Sequence, residues 1–188
     1  RYPIPHVTLY ANFLLGICAF LPFPGWQKMV AFLSSASILS YGIGPICLLA
    51  LRKIQPEQRR PFKLLGSLFF CNIAFYVCNL MLYWCGFSVI WKLCLAILFG
   101  FIIYLCYQKR NFWSGNYSLY WFFSYITVLL LLSYLGPFGG IARLKFPFGM
   151  LIIFPFSLLM LYLSQYCLVR DQAEKESFDL MNKQLQDL

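Results

Sequence analysis

Apolar residues run along this chain in long blocks separated by short polar breaks. The blocks fall at 7–23, 29–51, 64–85, 89–107, 117–135 and 148–169. None of them holds an Asp, a Glu or a His, and Lys92 is the one cation inside them. A helix rises ~1.5 Å per residue, so blocks of this length match the ~30 Å hydrocarbon core of a bilayer. The first block reaches only ~25 Å by the same measure and is barely long enough. The pattern therefore predicts an all-α, polytopic integral membrane protein with about six transmembrane helices.

The breaks carry the expected punctuation. Pro22, Pro24 and Gly25 end the first block, and Trp26 and Lys28 mark an interface. A tight turn at 86–88 joins the third and fourth blocks. Residues 108–110 (Gln, Lys, Arg) close the fourth, with Trp113 and Tyr117 as interfacial aromatics beyond. The glycines of 136–147 suit turns, with an anion-binding nest as the sharper alternative. Beyond 169 the chain changes material, because five of the six carboxylates lie there. Phe178, Met181, Leu185 and Leu188 follow helical spacing, which predicts a short amphipathic cytoplasmic helix in the tail 170–188.

Composition agrees with the pattern. The 188 residues are 61% hydrophobic and 11% charged, against the ~25% charged of soluble domains. The net charge of +9 is scattered between apolar blocks and forms no contiguous basic face, so nucleic acid is not an expected partner. All eight cysteines fall within apolar blocks, Cys85 alone at a block's end, and a thiol there acts as a small hydrophobe. Cys71, Cys78 and Cys85 recur every seven residues, a ~10.5 Å rise that is too far for two thiols to share a metal ion. With Asn72 and Asn79 they read as a stripe facing neighbouring helices. No metal site or cofactor is expected. His6 is the single histidine; an interfacial residue is the plainer reading and a proton-coupling group the sharper one. Enzyme chemistry lacks convergent titratable groups, and no HExxH, GxSxG or phosphate loop occurs.

The stretch 41–62 organises the rest. It is apolar through Leu51 and strongly basic from Arg52. Such a switch marks a helix leaving the bilayer. Upstream, Ser37, Tyr41 and Gly44 share a face. Pro45 cannot donate to the carbonyl of Tyr41, which predicts a kink or local unwinding. Ser37, Tyr41 and Pro45 are thus candidates for a transport pathway or hinge; close packing of small residues is the plainer account.

Within this stretch Tyr41, Pro45, Leu51, Arg52, Pro56, Arg60, Pro61 and Phe62 resemble a late helix and its following basic loop in permeases of the amino acid–polyamine–organocation superfamily. Residues 133–140 (Ser-Tyr-Leu-Gly-Pro-Phe-Gly-Gly) resemble a later loop of the fourteen-span members. The resemblance runs over about 5–169. It implies the last helices of a 12–14-span fold with inverted repeats, and part of a secondary transporter for amino acids or related amines, ion-coupled or exchanging. The substrate site of that family lies on early helices that have no counterpart here, so no binding residue is carried over. The implied partners are the lipid bilayer, the substrate and the remaining N-terminal helices. Arg1 in place of Met, with no signal-peptide pattern, fits a fragment. A non-transporting accessory subunit, or the remnant of a split permease gene, remains the alternative.

Charge bias predicts the orientation. Of the 15 Lys and Arg, only Lys28, Lys92, Arg143 and Lys145 fall on one side of a six-span topology. The positive-inside rule then puts both chain ends and the loop 52–63 in the cytoplasm, and 136–147 outside. The membrane is expected to be the plasma (inner) membrane.

Overall fold

A computed structural model describes residues 6–20, 25–62, 64–107, 117–144 and 147–186. Six helices follow one another: α1 His6–Phe20, α2 Trp26–Ile54, α3 Ser67–Cys85, α4 Phe87–Tyr107, α5 Tyr117–Leu135 and α6 Phe148–Gln186. Helices α2 to α6 are each long and apolar enough to cross a membrane. The chain is an all-helical polytopic membrane protein. Helix α1 is apolar but only 15 residues long, and residues 6–18 are exposed along its whole length. It stands apart from the packed bundle of the other five.

Two boundaries differ from the hydropathy reading. Helix α6 runs through 169/170 without a break, so the span and the tail helix are one 39-residue element. The switch from apolar to charged residues marks an exit from hydrocarbon, which a helix can cross intact because its backbone bonds are internal. Helix α2 is likewise continuous through Pro45 and is not unwound there. Pro22, Pro24, Lys63, residues 108–110, Trp113, Lys145 and Leu188 lie outside the described residues, as do the side chains of Phe178, Met181 and Leu185.

All five packed helices contribute to one core. Ile46 and Leu49 come from α2, Phe75 and Leu82 from α3, and Ile90 and Leu93 from α4. Tyr125 and Leu129 come from α5, and Phe156 and Met160 from α6. Tyr125 is stacked between Trp121, at 5.5 Å, and Phe156, at 5.9 Å. The Trp121 indole donates to the carbonyl of Met160 at 2.8 Å and ties α5 to α6.

Close approach at the far end of the bundle depends on missing side chains. Gly86 alone separates α3 from α4, at φ 87°, and a Cβ there would meet the Phe138 carbonyl at 2.8 Å. That carbonyl accepts from Phe87 N at 2.9 Å, so the loop after α5 closes onto the start of α4. The buried Tyr83 ring lies against Gly136 and Gly149, where any Cβ would collide with its hydroxyl end. That hydroxyl has no hydrogen-bond partner among the described residues.

Gly149→Ala in the full-length protein should therefore lower stability by about 1–3 kcal/mol, the usual cost of overpacking. Tyr83→Phe should be close to neutral alone and should restore part of that loss in the double variant, because it removes the colliding, unpartnered hydroxyl while the ring carbon at 2.9 Å stays. Thermal unfolding in detergent reads both effects; simple additivity of the two substitutions would contradict the geometry.

Candidate functional site

The basic stretch after α2 forms a clasp. Four carbonyls at the end of any helix lack partners within it. Arg60 folds back and donates through one guanidinium nitrogen to the carbonyls of Leu51, at 3.0 Å, and Gln55, at 2.8 Å. A cation at a helix C-terminus also opposes the negative end of the dipole. Arg52 reaches forward to the next helix, donating to the Leu64 carbonyl at 3.3 Å and to the Ser67 hydroxyl. Arg52 thus ties α2 to α3, while Arg60 ties the intervening loop back to the end of α2. Pro61 and Phe62 are exposed beside them.

The candidate pathway residues occupy a different surface. Tyr41 is 71% exposed on the outside of α2, and Ser37 is exposed and donates to the Leu33 carbonyl at 3.1 Å. Gly44 has open space beyond its Cα, whereas Gly42 faces Phe75 and Cys78 of α3. Pro45 is half-buried. Among the described residues nothing covers the Ser37–Tyr41–Gly44 face, and it does not converge with the clasp.

Two buried side-chain amides, Asn79 and Gln165, bond across helices. Asn79 is 0% exposed; its amide donates to the Phe75 carbonyl at 2.9 Å, and its oxygen accepts from the Tyr125 hydroxyl at 2.7 Å. The stripe reading of α3 anticipates an interhelical bond from an asparagine, though Asn79 acts as the acceptor. Asn72 stays local and donates to Leu68. On α6, Gln165 is 3% exposed and donates to the Ile46 carbonyl of α2 at 3.0 Å. This bond arrives one residue beyond Pro45. Tyr125 and Gln165 escape a sequence reading, one as an aromatic among many. The other is the single side-chain amide of its block, a signal that hydropathy averaging hides.

Asp171 ties the start of the tail to the bundle. It is 7% exposed and accepts from the backbone nitrogens of Tyr117, at 2.7 Å, and Ser118, at 2.9 Å, and from the Ser118 hydroxyl. A carboxylate of α6 therefore caps the N-terminus of α5, where unpartnered amides and the dipole both favour an anion. Its neighbour Arg170 sits 4.1 Å above the Tyr117 ring and 4.0 Å from Glu174. The glycine loop after α5 acts as turn chemistry: Ile141, Ala142 and Leu144 donate to the carbonyls of Tyr134, Gly136 and Leu135. Among the described residues no three His, Cys, Asp or Glu gather as metal ligands.

This chain is 32% identical over 174 residues to the aspartate-proton symporter of Bacillus subtilis (strain 168), which covers 86% of the chain and 32% of that protein. It is 29% identical over 164 residues to the glutamate/serine transporter AimA of the same organism, covering 84% of the chain and 30% of that protein. The chain spans about a third of the length of these relatives. No family model matches it, and no solved structure matches it.

Asp171→Asn should loosen the start of α5 by about 1–2 kcal/mol, the scale of a lost N-cap. Hydrogen exchange at the amides of Tyr117 and Ser118 should rise about tenfold, while Leu129 in the same helix stays protected. Unchanged exchange at both amides would show that the cap carries no stability.

Proposed function

We propose that this chain is the C-terminal part of a secondary active transporter for acidic or small polar amino acids, coupled to protons and belonging to the amino acid–polyamine–organocation superfamily. The observation that carries the reading is similarity to two amino acid transporters over more than four fifths of the chain, one described as a proton symporter and the other as a glutamate/serine transporter. The motif residues Leu51, Arg52 and Arg60 give the reading a structural role: they brace the end of a span. The protein is a carrier and not an enzyme. Its substrate site lies on the remaining N-terminal helices, which dock on the uncovered face of Ser37, Tyr41 and Gly44. Tyr41 and Ser37 then line or border the pathway, and Pro45 serves as a hinge.

Uptake by the full-length protein tests this. In proteoliposomes with an inward proton gradient, labelled aspartate, glutamate or serine should accumulate saturably, and a protonophore should abolish the accumulation. Vesicles containing residues 1–188 alone should accumulate none. Absence of saturable uptake by the full-length protein for all three substrates would refute the assignment.

The proposed topology has residues 1–169 as the membrane domain of an inner (plasma) membrane protein, with both ends of the chain cytoplasmic. The loop 52–63 and the tail 170–188 face the cytoplasm, and 136–147 faces outward. The support is the cation bias, strongest in the short loop after α2. Single cysteines introduced in a cysteine-free background at Gln58 and at Ile141 report it through an impermeant thiol reagent on intact cells. Labelling at 141 alone is expected; labelling at 58 alone would invert the topology.

A further inference from the structure

A groove of about 300 Å³ lies between the end of α2 and the second half of α6, lined by Lys53, Tyr162, Gln165, Tyr166, Val169, Arg170 and Ala173. Its chemistry is graded along its length. Lys53 sits two residues past the last apolar residue of the second block, and Arg170 sits one past the end of the sixth. Both cations are therefore at the level where spans leave hydrocarbon on the same side of the bundle. Below them the walls are Tyr162 and Tyr166, exposed aromatic residues of the type that belts membrane interfaces, with Val169 beside them. Gln165 forms the floor. Its amide nitrogen is committed to the Ile46 carbonyl, and its oxygen has no donor among the described residues. That oxygen has almost no accessible surface, so Gln165 closes the floor and offers the groove no acceptor.

We propose that this groove is a specific site for one anionic phospholipid, with the phosphodiester between Lys53 and Arg170. The gradient selects a lipid over a soluble anion. The cations occupy the headgroup level, and apolar and aromatic surface continues below them where acyl chains lie. Basic pockets between membrane helices hold anionic headgroups in this way. Arg170 lies over the Tyr117 ring at 4.1 Å, hydrogen-bonds Tyr166 and meets Glu174 at 4.0 Å with its side chain about half exposed, and a guanidinium with five N–H donors keeps others for a phosphate. The site is independent of which amino acid the protein carries.

The test uses the full-length protein in a zwitterionic detergent, titrated with phosphatidylglycerol and followed by native mass spectrometry. Wild type should retain one phosphatidylglycerol in preference to phosphatidylcholine. Lys53→Gln and Arg170→Gln should each weaken retention about fivefold, the loss expected for one cation at an anionic surface. Arg59→Gln, an exposed cation of the same loop outside the groove, should change it by less than about twofold. Equal losses for Arg59→Gln and Lys53→Gln would reduce the site to diffuse attraction and overturn it. So would displacement of the lipid by millimolar glycerol phosphate, or wild type that retains no phosphatidylglycerol because another segment of its own chain fills the groove. Circular dichroism keeps each comparison between folded proteins.

Discussion

Hydrocarbon supplies no hydrogen bonds, so each polar group carried into it must meet a partner that the protein itself provides. Helices satisfy this along their length and fail it at their ends. The described ends of this bundle show the consequence. Arg60 holds the last carbonyls of α2, Asp171 holds the first amides of α5, and Ile141 and Leu144 hold its last carbonyls. The residues that look most like loop decoration are thus the ones that let the spans stop. The same rule governs the interior, where Asn79 and Tyr125 close on each other and Gln165 reaches across to α2.

These contacts also explain why some features could be read before the fold and others could not. Membrane spans announce themselves by composition over some twenty residues, so α2 to α5 lie close to their expected ranges. A change of composition reports the solvent and not the helix, so α6 passes from hydrocarbon to water unbroken. Pro45 removes one donor, and that alone does not unwind α2. Asp171 was hidden for a different reason. Its meaning depends on amides more than fifty residues earlier in the chain, and no local pattern connects the two. Tyr83 is similar: the glycines that admit its ring, Gly136 and Gly149, read locally as turn and span residues.

The candidate transport residues fall between these cases. Helical spacing places Ser37, Tyr41 and Gly44 on one face, and that face is open among the described residues. Spacing says which residues act together, but not what they face. The opposite side of the same helix is closed: Gly42 lies against Phe75, while Ile46 and Leu49 enter the core. Helix α2 is therefore two-sided, with one side committed to the bundle and the other presenting a tyrosine, a serine and a glycine outward.

That two-sidedness bears on how the helix is held in the bundle. A helix braced only at its middle can tilt, while one held at its end must bend instead. The Arg52 bonds to Leu64 and Ser67 tie the end of α2 to α3, and Arg60 closes the intervening loop back onto α2. At the level of Ile46 a bond to Gln165 ties it to α6. Both ties lie on the C-terminal side of Pro45, whose missing donor makes this the softest point of the helix. The segment before Pro45 carries the open Ser37–Tyr41 face. That segment is packed as well, with Ser35 fully buried and Phe32, Ala36 and Leu39 against the core, so the open face belongs to a helix held by the bundle on both sides of Pro45.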